Sequence, residues 1–252
     1  MSFAYNYGMQ LRMQVSHFSR VAACLLVLCV SLNLHAQTPP PPRTPPAPPT
    51  GPGLVVTYVE ASPARSAALT ADLKAYAGQI ENSPAKPRVA ILGEFGRPNR
   101  VVVIEQWPDL SSPSVAEAET LLTAKVQPEV QAPIDRRVNL PMTPALAEVS
   151  FTAFPSTAFF VLMHIDIGGG AGGAAKILQA QRDAVVSAPG ALGYGVTVQD
   201  HHNNHFTISE VWKSRAAYEA YTATGPSEDF RRSLATLIGA PFDDRFYARV
   251  GY

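Results

Sequence analysis

The tripeptide Glu-x-Trp occurs twice in the sequence, as Glu105-Gln106-Trp107 and as Glu210-Val211-Trp212, and its two glutamates are 105 positions apart. The chain has only two tryptophans, and both belong to this motif. A second motif, Ala-Pro-x-Asp, follows each copy at a similar distance, at residues 132–135 and 240–243. Such self-similarity at a fixed spacing indicates an internal duplication. The unit is too long for a solenoid repeat and suits a small domain used twice.

The first 36 residues have the pattern of a secretory signal peptide. Arg12 and Arg20 precede an apolar run over residues 21–34, and Ala36 ends a small-residue cleavage motif. The apolar run is shorter than the roughly twenty residues that a membrane-spanning helix needs. We therefore expect cleavage after Ala36, no stable membrane anchor afterwards, and a periplasmic or secreted protein.

The composition of the mature chain excludes several classes of function. Cys24 and Cys29 both lie within the signal, so neither disulfides nor thiol catalysis are expected. Residues 37–53 are rich in proline, which favours an extended spacer. Because the signal holds Arg12 and Arg20 but no acidic residue, the 20 basic side chains fall to 18 against 20 acidic ones. With this balance of charges, we expect no basic surface that would bind nucleic acid.

The two repeats share one predicted order of elements, βαββαβ. The first repeat spans residues 54–140, the linker 141–156 and the second repeat 157–252. Strands rich in β-branched and aromatic residues, with helices between them, predict a ferredoxin-like α+β sheet. Such a sheet carries helices on one face only, so its other face must be buried elsewhere. We expect the two antiparallel sheets to pack together as an intrachain pseudo-dimeric α/β barrel.

The second repeat resembles the antibiotic biosynthesis monooxygenase family of dimeric α/β barrels. The residues that carry the resemblance are Pro189-Gly190, Gly193-Tyr194, residues 210–214, Ala216-Ala217-Tyr218 and Phe230. The first repeat resembles the family less fully, chiefly through residues 104–107 and the strands before them. The resemblance implies a tandem duplication of the family domain. It also implies cofactor-independent monooxygenation of a small aromatic or quinol compound, in which the substrate carbanion itself reduces oxygen.

The departures from the family pattern bear on the chemistry. Many members carry histidines in the helical region after the Trp, where this chain has Tyr221 and, further on, Ser227. Haem-degrading members share the Trp, but no histidine follows Lys213 to ligate iron. We therefore expect neither haem nor any other cofactor.

His164 is the sharpest candidate for a catalytic base. It interrupts an apolar strand, and its counterpart in the first repeat is Tyr58. The first strand of a ferredoxin-like sheet neighbours the third, so His164 is expected beside the strand that bears Glu210 and Trp212. A histidine titrates near neutral pH and could take a proton from a hydroquinone. A buried structural histidine is the alternative.

The Glu-x-Trp residues supply the other candidates. Glu210 and Trp212 share one strand face, as do Glu105 and Trp107, because side chains two apart point the same way. A buried carboxylate has a raised pKa and could move a proton, so Glu210 is a second catalytic candidate. The predicted substrate-binding residues are Trp212, Tyr194, Trp107 and Tyr58. The alternative for the two tryptophans is a structural role in the core, and that for the two glutamates is a structural hydrogen bond or a surface ion pair.

Two further motifs are assigned to loops. His201, His202 and His205 lie where the first repeat has a hairpin turn, so turn chemistry explains this segment better than a metal site does. Residues 168–173 satisfy the GxGxxG pattern, but the first repeat has no glycine there, and we interpret the segment as a flexible loop at the mouth of the site.

Two hypotheses remain open at this point. The first is an exported monooxygenase with a small aromatic substrate. The second is a non-catalytic small-molecule-binding or stress-related protein that retains the barrel core. Self-association beyond the pseudo-dimer is left open by the sequence.

Overall fold

The computed structural model describes residues 47–142, 149–168 and 173–250. The predicted signal peptide and most of the proline-rich spacer lie outside these ranges, as does the glycine-rich segment at residues 169–172. No helix within the described ranges is long and apolar enough to cross a bilayer.

The first repeat has the predicted order of elements. Its elements are β1 (Gly53–Glu60), a 3-10 turn (Pro63–Arg65), α1 (Ser66–Glu81), β2 (Arg88–Glu94), β3 (Arg97–Trp107), α2 (Pro113–Val126) and β4 (Asp135–Pro141). The start of α2 follows from local chemistry. The Ser112 hydroxyl accepts a hydrogen bond from the Ser114 amide, and Pro113 occupies the first turn, where no amide donor is needed.

The second repeat follows the same plan with one difference. Its elements are β5 (Phe159–Asp166), α3 (Ala174–Ser187), β6 (Ala191–Gln199), β7 (His202–Trp212), α4 (Arg215–Thr222), α5 (Gly225–Ala235) and β8 (Asp243–Arg249). The helical region after Trp212 is thus two helices. Pro226 explains the break, because it has no amide hydrogen to continue α4 and is well placed in the first turn of a new helix.

The eight strands form one closed antiparallel barrel, in the order β1-β3-β2-β8-β5-β7-β6-β4. The predicted fold class is therefore confirmed, and the structure adds how the halves join. The two sheets do not only face each other, since β2 pairs with β8 and β4 pairs with β6. The last strand of each repeat thus pairs with an edge strand of the other sheet as well as with its own. Every strand of the barrel is therefore hydrogen-bonded on both sides.

Alternate residues of each strand face two different cores. On β1, Val56 points into the barrel, where it packs with residues such as Phe160 and Leu162 of the other half. Its neighbour Val55 points outward, against α1 and α2. A matching outer core lies between the second sheet and α3 to α5. The period of two along a strand divides the side chains in this way.

One end of the barrel is filled by the segment between the repeats. Phe151 is 1 % exposed and packs with the barrel core, where its ring stacks on Phe160 at 6.3 Å between centroids. The Gln106 side chain binds this segment through its backbone, donating to the Val149 carbonyl and accepting from the Phe151 amide. Tyr58 and His164 lie towards the opposite end.

Candidate functional site

A buried hydrogen-bonded cluster lies between the second sheet and its helices. The Glu210 carboxylate is 2 % exposed and accepts from Trp212 Nε1 at 3.0 Å and from Gln181 Nε2 at 3.0 Å. The Tyr221 hydroxyl donates to Gln181 Oε1 at 3.0 Å. An ionised carboxylate can only accept, so the Gln181 amide nitrogen faces Glu210 and its oxygen faces Tyr221. The orientation of Gln181 thus follows from Glu210.

The hydrogen bonds that stabilise the negative charge of Glu210 come from neutral groups. Burial raises the pKa of its carboxyl, and the hydrogen bonds from Gln181 and Trp212 oppose the shift only in part. Among the described residues, none forms an ion pair with Glu210. With its pKa raised in this way, the carboxylate is a stronger proton acceptor than an ordinary glutamate.

An apolar groove of about 450 Å³ opens beside this cluster, between α3 and the pair α4 and α5. No lining residue is charged; they are Ala184, Ser187, Ala188, Pro189, Ala217, Ala220, Tyr221, Thr224 and Pro226. Tyr221 lines the groove, and its ring contacts that of Trp212 at 5.1 Å between centroids. Tyr194 lies in the same outer core and donates its hydroxyl to the Leu178 carbonyl at 3.3 Å.

The first repeat carries the equivalent glutamate in a different environment. Glu105 accepts from Trp107 Nε1 at 2.8 Å, from the Tyr76 hydroxyl at 2.8 Å and from Arg136 at 3.2 Å. Arg136 also pairs with Glu119 on α2 at 3.5 Å. In the second repeat the position of Tyr76 is taken by Gln181, and that of Arg136 by an acid, Asp244, which pairs with Arg231 at 2.7 Å. One half therefore neutralises its buried carboxylate with a guanidinium, and the other does not.

A second polar cluster lies at the mouth of the barrel. The Tyr58 hydroxyl and His164 Nε2 are 2.6 Å apart, and His164 Nδ1 lies 3.1 Å from Thr207 Oγ1. The guanidinium groups of Arg245 and Arg137 lie over the Tyr58 ring at 4.6 Å and 5.3 Å from its centroid. Each arginine is paired with an aspartate two residues before it, Asp243 or Asp135.

The ionisation states in this cluster follow from the electrostatics. Burial raises the pKa of Tyr58 well above its usual range, so its hydroxyl keeps the proton. Burial, followed by the charges of Arg137 and Arg245, lowers the pKa of His164 to about 3. The imidazole is therefore neutral near pH 7, and one of its nitrogens donates while the other accepts, with Tyr58 at Nε2 and Thr207 at Nδ1.

Comparison with known proteins connects the outer cluster to a family. Residues 168–233 match the family model described as antibiotic biosynthesis monooxygenase. The second repeat contains an antibiotic biosynthesis monooxygenase (ABM) domain. The matched stretch of this ABM domain includes Gln181, Tyr194, Glu210, Trp212 and Tyr221, so it covers the groove and the buried cluster. The resemblance predicted from the sequence is confirmed.

Solved structures resemble the whole two-repeat barrel. A candidate monooxygenase from Fusobacterium nucleatum has a TM-score of 0.62 at 12 % identity and covers 80 % of this chain and 93 % of its own. An anthrone oxidase-like protein has a TM-score of 0.57 at 12 % identity, covering 80 % and 92 %. A candidate monooxygenase from Lactobacillus acidophilus has a TM-score of 0.53 at 8 % identity, covering 79 % and 94 %. No curated protein sequence matches the chain. At these identities the similarity shows that the fold is shared, and nothing more.

The structure divides the predicted site residues between the two faces of the sheet. His164 does lie on the strand beside Glu210 and Trp212, but its cross-strand partner is Thr207, which faces the barrel interior. Glu210 and Trp212 face the helices of the ABM domain instead, opposite Val161 and Phe159. The prediction of one pocket that combines His164 with Glu210, Trp212 and Tyr194 is therefore wrong. Strand adjacency was inferred correctly, but the face of each side chain was not.

The predicted residues of the first half are divided in the same way. Trp107 is buried beside Glu105 on the helix side, and Tyr58 lies at the barrel mouth against His164. Sequence reasoning did not single out Gln181, although its equivalence to Tyr76 is visible once the repeats are aligned. It noted Tyr221 only as a departure from the family pattern. Arg137 and Arg245 were also missed, although they too are equivalent between the repeats.

The histidine-rich segment lies at the predicted hairpin turn, although His202 and His205 already belong to β7. His201 lies in the turn between β6 and β7 with a φ of 59°, a value that a short polar residue tolerates in tight turns. His205 pairs with Asp166 at 2.9 Å and stacks on His202 at 4.9 Å between centroids. Within the described parts of the chain, no three histidine, cysteine or acidic side chains are grouped to hold a metal ion.

Proposed function

We propose that this protein is a cofactor-independent monooxygenase that oxidises a small aromatic or quinol compound in the ABM domain of its second repeat. One observation carries the proposal. Glu210 is buried with two neutral donors behind an uncharged groove, whereas its equivalent, Glu105, is paired with Arg136. The groove volume of about 450 Å³ is in the range of small-molecule pockets.

The proposed reaction needs only a base, a dry pocket and dioxygen. Glu210 takes a proton from an activated carbon of the aromatic substrate, and the resulting carbanion adds dioxygen and regains a proton as a hydroperoxide. Loss of water then breaks the O–O bond and leaves a carbonyl group, so CH₂ and O₂ become C=O and H₂O. The substrate supplies all the electrons, and no external reductant is consumed. Trp212 and Tyr194 are proposed to shape the pocket.

The base role goes to Glu210 rather than to His164 for electrostatic reasons. A base must have a free lone pair and a pKa near the working pH. Both ring nitrogens of His164 are already engaged, by Tyr58 and by Thr207, and its pKa is lowered to about 3. The Glu210 pKa is raised from its ordinary value instead. We also propose export to the periplasm or the exterior, on the pattern of the first 36 residues.

A second candidate function is binding without turnover. It is favoured by the way Tyr221 covers Glu210 and Trp212, which leaves neither side chain in the lining of the groove. A protein closed in this manner could hold a small aromatic ligand in the groove without bringing it to the carboxylate. The two functions differ in one measurable property, which is oxygen consumption.

The test is oxygen uptake with a panel of hydroquinones and anthrones. We expect uptake above the buffer rate, and we expect Glu210→Gln to abolish it while the fold is retained. Glu105→Gln is the matched control, because it makes the same change at the equivalent position of the first repeat and should leave turnover intact. No uptake with any compound, or equal loss in both variants, would reject the enzymatic proposal.

A further inference from the structure

The side chain of Tyr221 is itself a phenol, and it occupies the position that a hydroxylated aromatic ligand would need. Its ring lies against Trp212 at 5.1 Å between centroids, with 31° between the ring planes. Its hydroxyl donates to Gln181 Oε1 at 3.0 Å. An aromatic surface and an oriented acceptor are the two elements of a phenol-binding site.

Behind Tyr221, the cluster is sealed from the groove. Trp212 is fully buried, Glu210 is 2 % exposed and Gln181 is 3 % exposed. Of these groups and Tyr221, only Tyr221 is part of the groove lining. In this arrangement a ligand in the groove is next to Tyr221, and it has no direct access to Glu210.

The backbone and the side chain of Tyr221 are held by separate contacts. The Tyr221 carbonyl accepts from the Thr224 amide at 2.9 Å and from its hydroxyl at 2.7 Å, which holds the chain at the end of α4. The side chain is 6 % exposed and is held by the hydrogen bond to Gln181 and by packing on Trp212 in the outer core. Tyr221 also lines the groove, so open space lies next to this residue.

We propose that Tyr221 acts as a built-in phenol that closes the ABM domain, and that a hydroxylated aromatic ligand binds by displacing it. The ligand ring then takes the place of the Tyr221 ring on Trp212, and the ligand hydroxyl donates to Gln181 Oε1 beside Glu210. Gln181 is the specificity-determining residue in this exchange, because its oxygen accepts from a hydroxyl and gains nothing from an ether or a carbonyl. This inference rests on the proposed location of the site but not on turnover.

The test uses 4-methylphenol, which is the tyrosine side chain as a free molecule, and 4-methylanisole, which lacks the donor. Affinities are measured by calorimetry on the full-length chain. We expect Tyr221→Phe to bind 4-methylphenol several-fold more tightly than the parent, because it keeps the ring but loses the hydrogen bond that holds it closed. Tyr221→Ala should bind more tightly still. Tyr218→Phe is the control, since Tyr218 also contacts Trp212 but does not line the groove.

A simple cavity would give a different pattern of results. If Tyr221→Ala only created an apolar void, 4-methylphenol and 4-methylanisole would gain equally and Tyr221→Phe would gain nothing, and this outcome would overturn the inference. If Tyr221→Ala does not fold, the comparison of Tyr221→Phe with Tyr218→Phe decides. Adding Gln181→Met to Tyr221→Phe should remove the preference for the phenol over the ether.

A fluorescence measurement checks the same exchange at the tryptophan. In a Trp107→Phe background, Trp212 is the single tryptophan of the chain. Acrylamide should quench it several-fold more in Tyr221→Ala than in the background, and 4-methylphenol should restore the shielding. Quenching that does not differ between the two proteins contradicts displacement. Displacement without oxygen uptake would reject the proposed enzyme and leave this inference standing.

Discussion

Tyr58 and His164 occupy equivalent positions in the two repeats, and their side chains hydrogen-bond to each other over 2.6 Å. A residue that touches its own counterpart lies at the pseudo-two-fold axis that relates the halves. The axis therefore runs through a neutral tyrosine–histidine pair, with Arg245 and Arg137 over the tyrosine ring.

This pair predicts acid sensitivity of the fold. His164 has a pKa of about 3 in the folded protein, whereas an unfolded histidine has a pKa of about 6.5. Between these values the unfolded state binds more protons, so stability falls as the pH falls. From about pH 7.5 to about pH 5, His164 should remove roughly 2 kcal/mol from the free energy of unfolding, measured by urea titration.

His164→Gln supplies the control for this effect, because glutamine does not titrate. The difference in unfolding free energy between parent and variant should shrink as the pH is lowered. Parallel curves for the two proteins would show that His164 is not held neutral by its surroundings.

Arg136 predicts a strong effect on the stability of the first repeat. Its removal leaves Glu105 buried without a cation, and breaking a buried pair on one side costs on the order of 3 kcal/mol. We expect Arg136→Met to lower the free energy of unfolding by about this amount, and Glu105→Gln in the same background to recover part of it. Arg231→Met is the comparison, and it should cost less because Arg231 is 35 % exposed. Equal losses would contradict the assignment.

Gly78 and Gly53 predict opposite responses to alanine. A Cβ at Gly78, within α1, meets no atom within 4 Å, so Gly78→Ala should stabilise the protein by about 0.5–1 kcal/mol through helix propensity. A Cβ at Gly53 would lie 2.8 Å from the backbone oxygen of Asn139, so Gly53→Ala should destabilise by roughly 1–3 kcal/mol. Thermal unfolding of the two variants measures both effects, and a shift of the same sign would contradict this description of the packing.

Phe151 predicts that the segment between the repeats contributes to the core. Truncation of a buried phenylalanine costs about 3–5 kcal/mol, and Phe151 is 1 % exposed. We expect Phe151→Ala to show a loss of this size in urea unfolding. Phe95→Ala should cost far less, since Phe95 is 45 % exposed. A small loss for Phe151→Ala would mean that the segment does not fill the barrel end.

Much of the fold follows from the sequence because strand and helix signals are local. The predicted βαββαβ order is the observed one, apart from the division of the last helix into two, and the matching Glu-x-Trp copies place both third strands correctly. The joining of β2 to β8 and of β4 to β6 depends on contacts between residues far apart in sequence. No local pattern encodes which edge of one repeat accepts the last strand of the other.

The candidate site was predicted only in part, and the reason is geometric. A strand directs neighbouring side chains to opposite faces, so His164 and Glu210 can lie on adjacent strands and still be separated by the sheet. Only the register, which pairs His164 with Thr207, resolves the faces. The role of Gln181 depends on its approach to Glu210 from a helix 29 residues earlier in the sequence, a tertiary contact that its residue type does not indicate.

The connection between the repeats also has a consequence for how such a protein can evolve. In a barrel assembled from two identical subunits, every substitution appears on both sides of the axis, so a tyrosine would face a tyrosine. With both halves on one polypeptide, Tyr58 can face His164. In the same way, Arg136 can form an ion pair with Glu105 while Glu210 has neutral hydrogen-bond donors. Covalent linkage thus frees each half to specialise independently of the other.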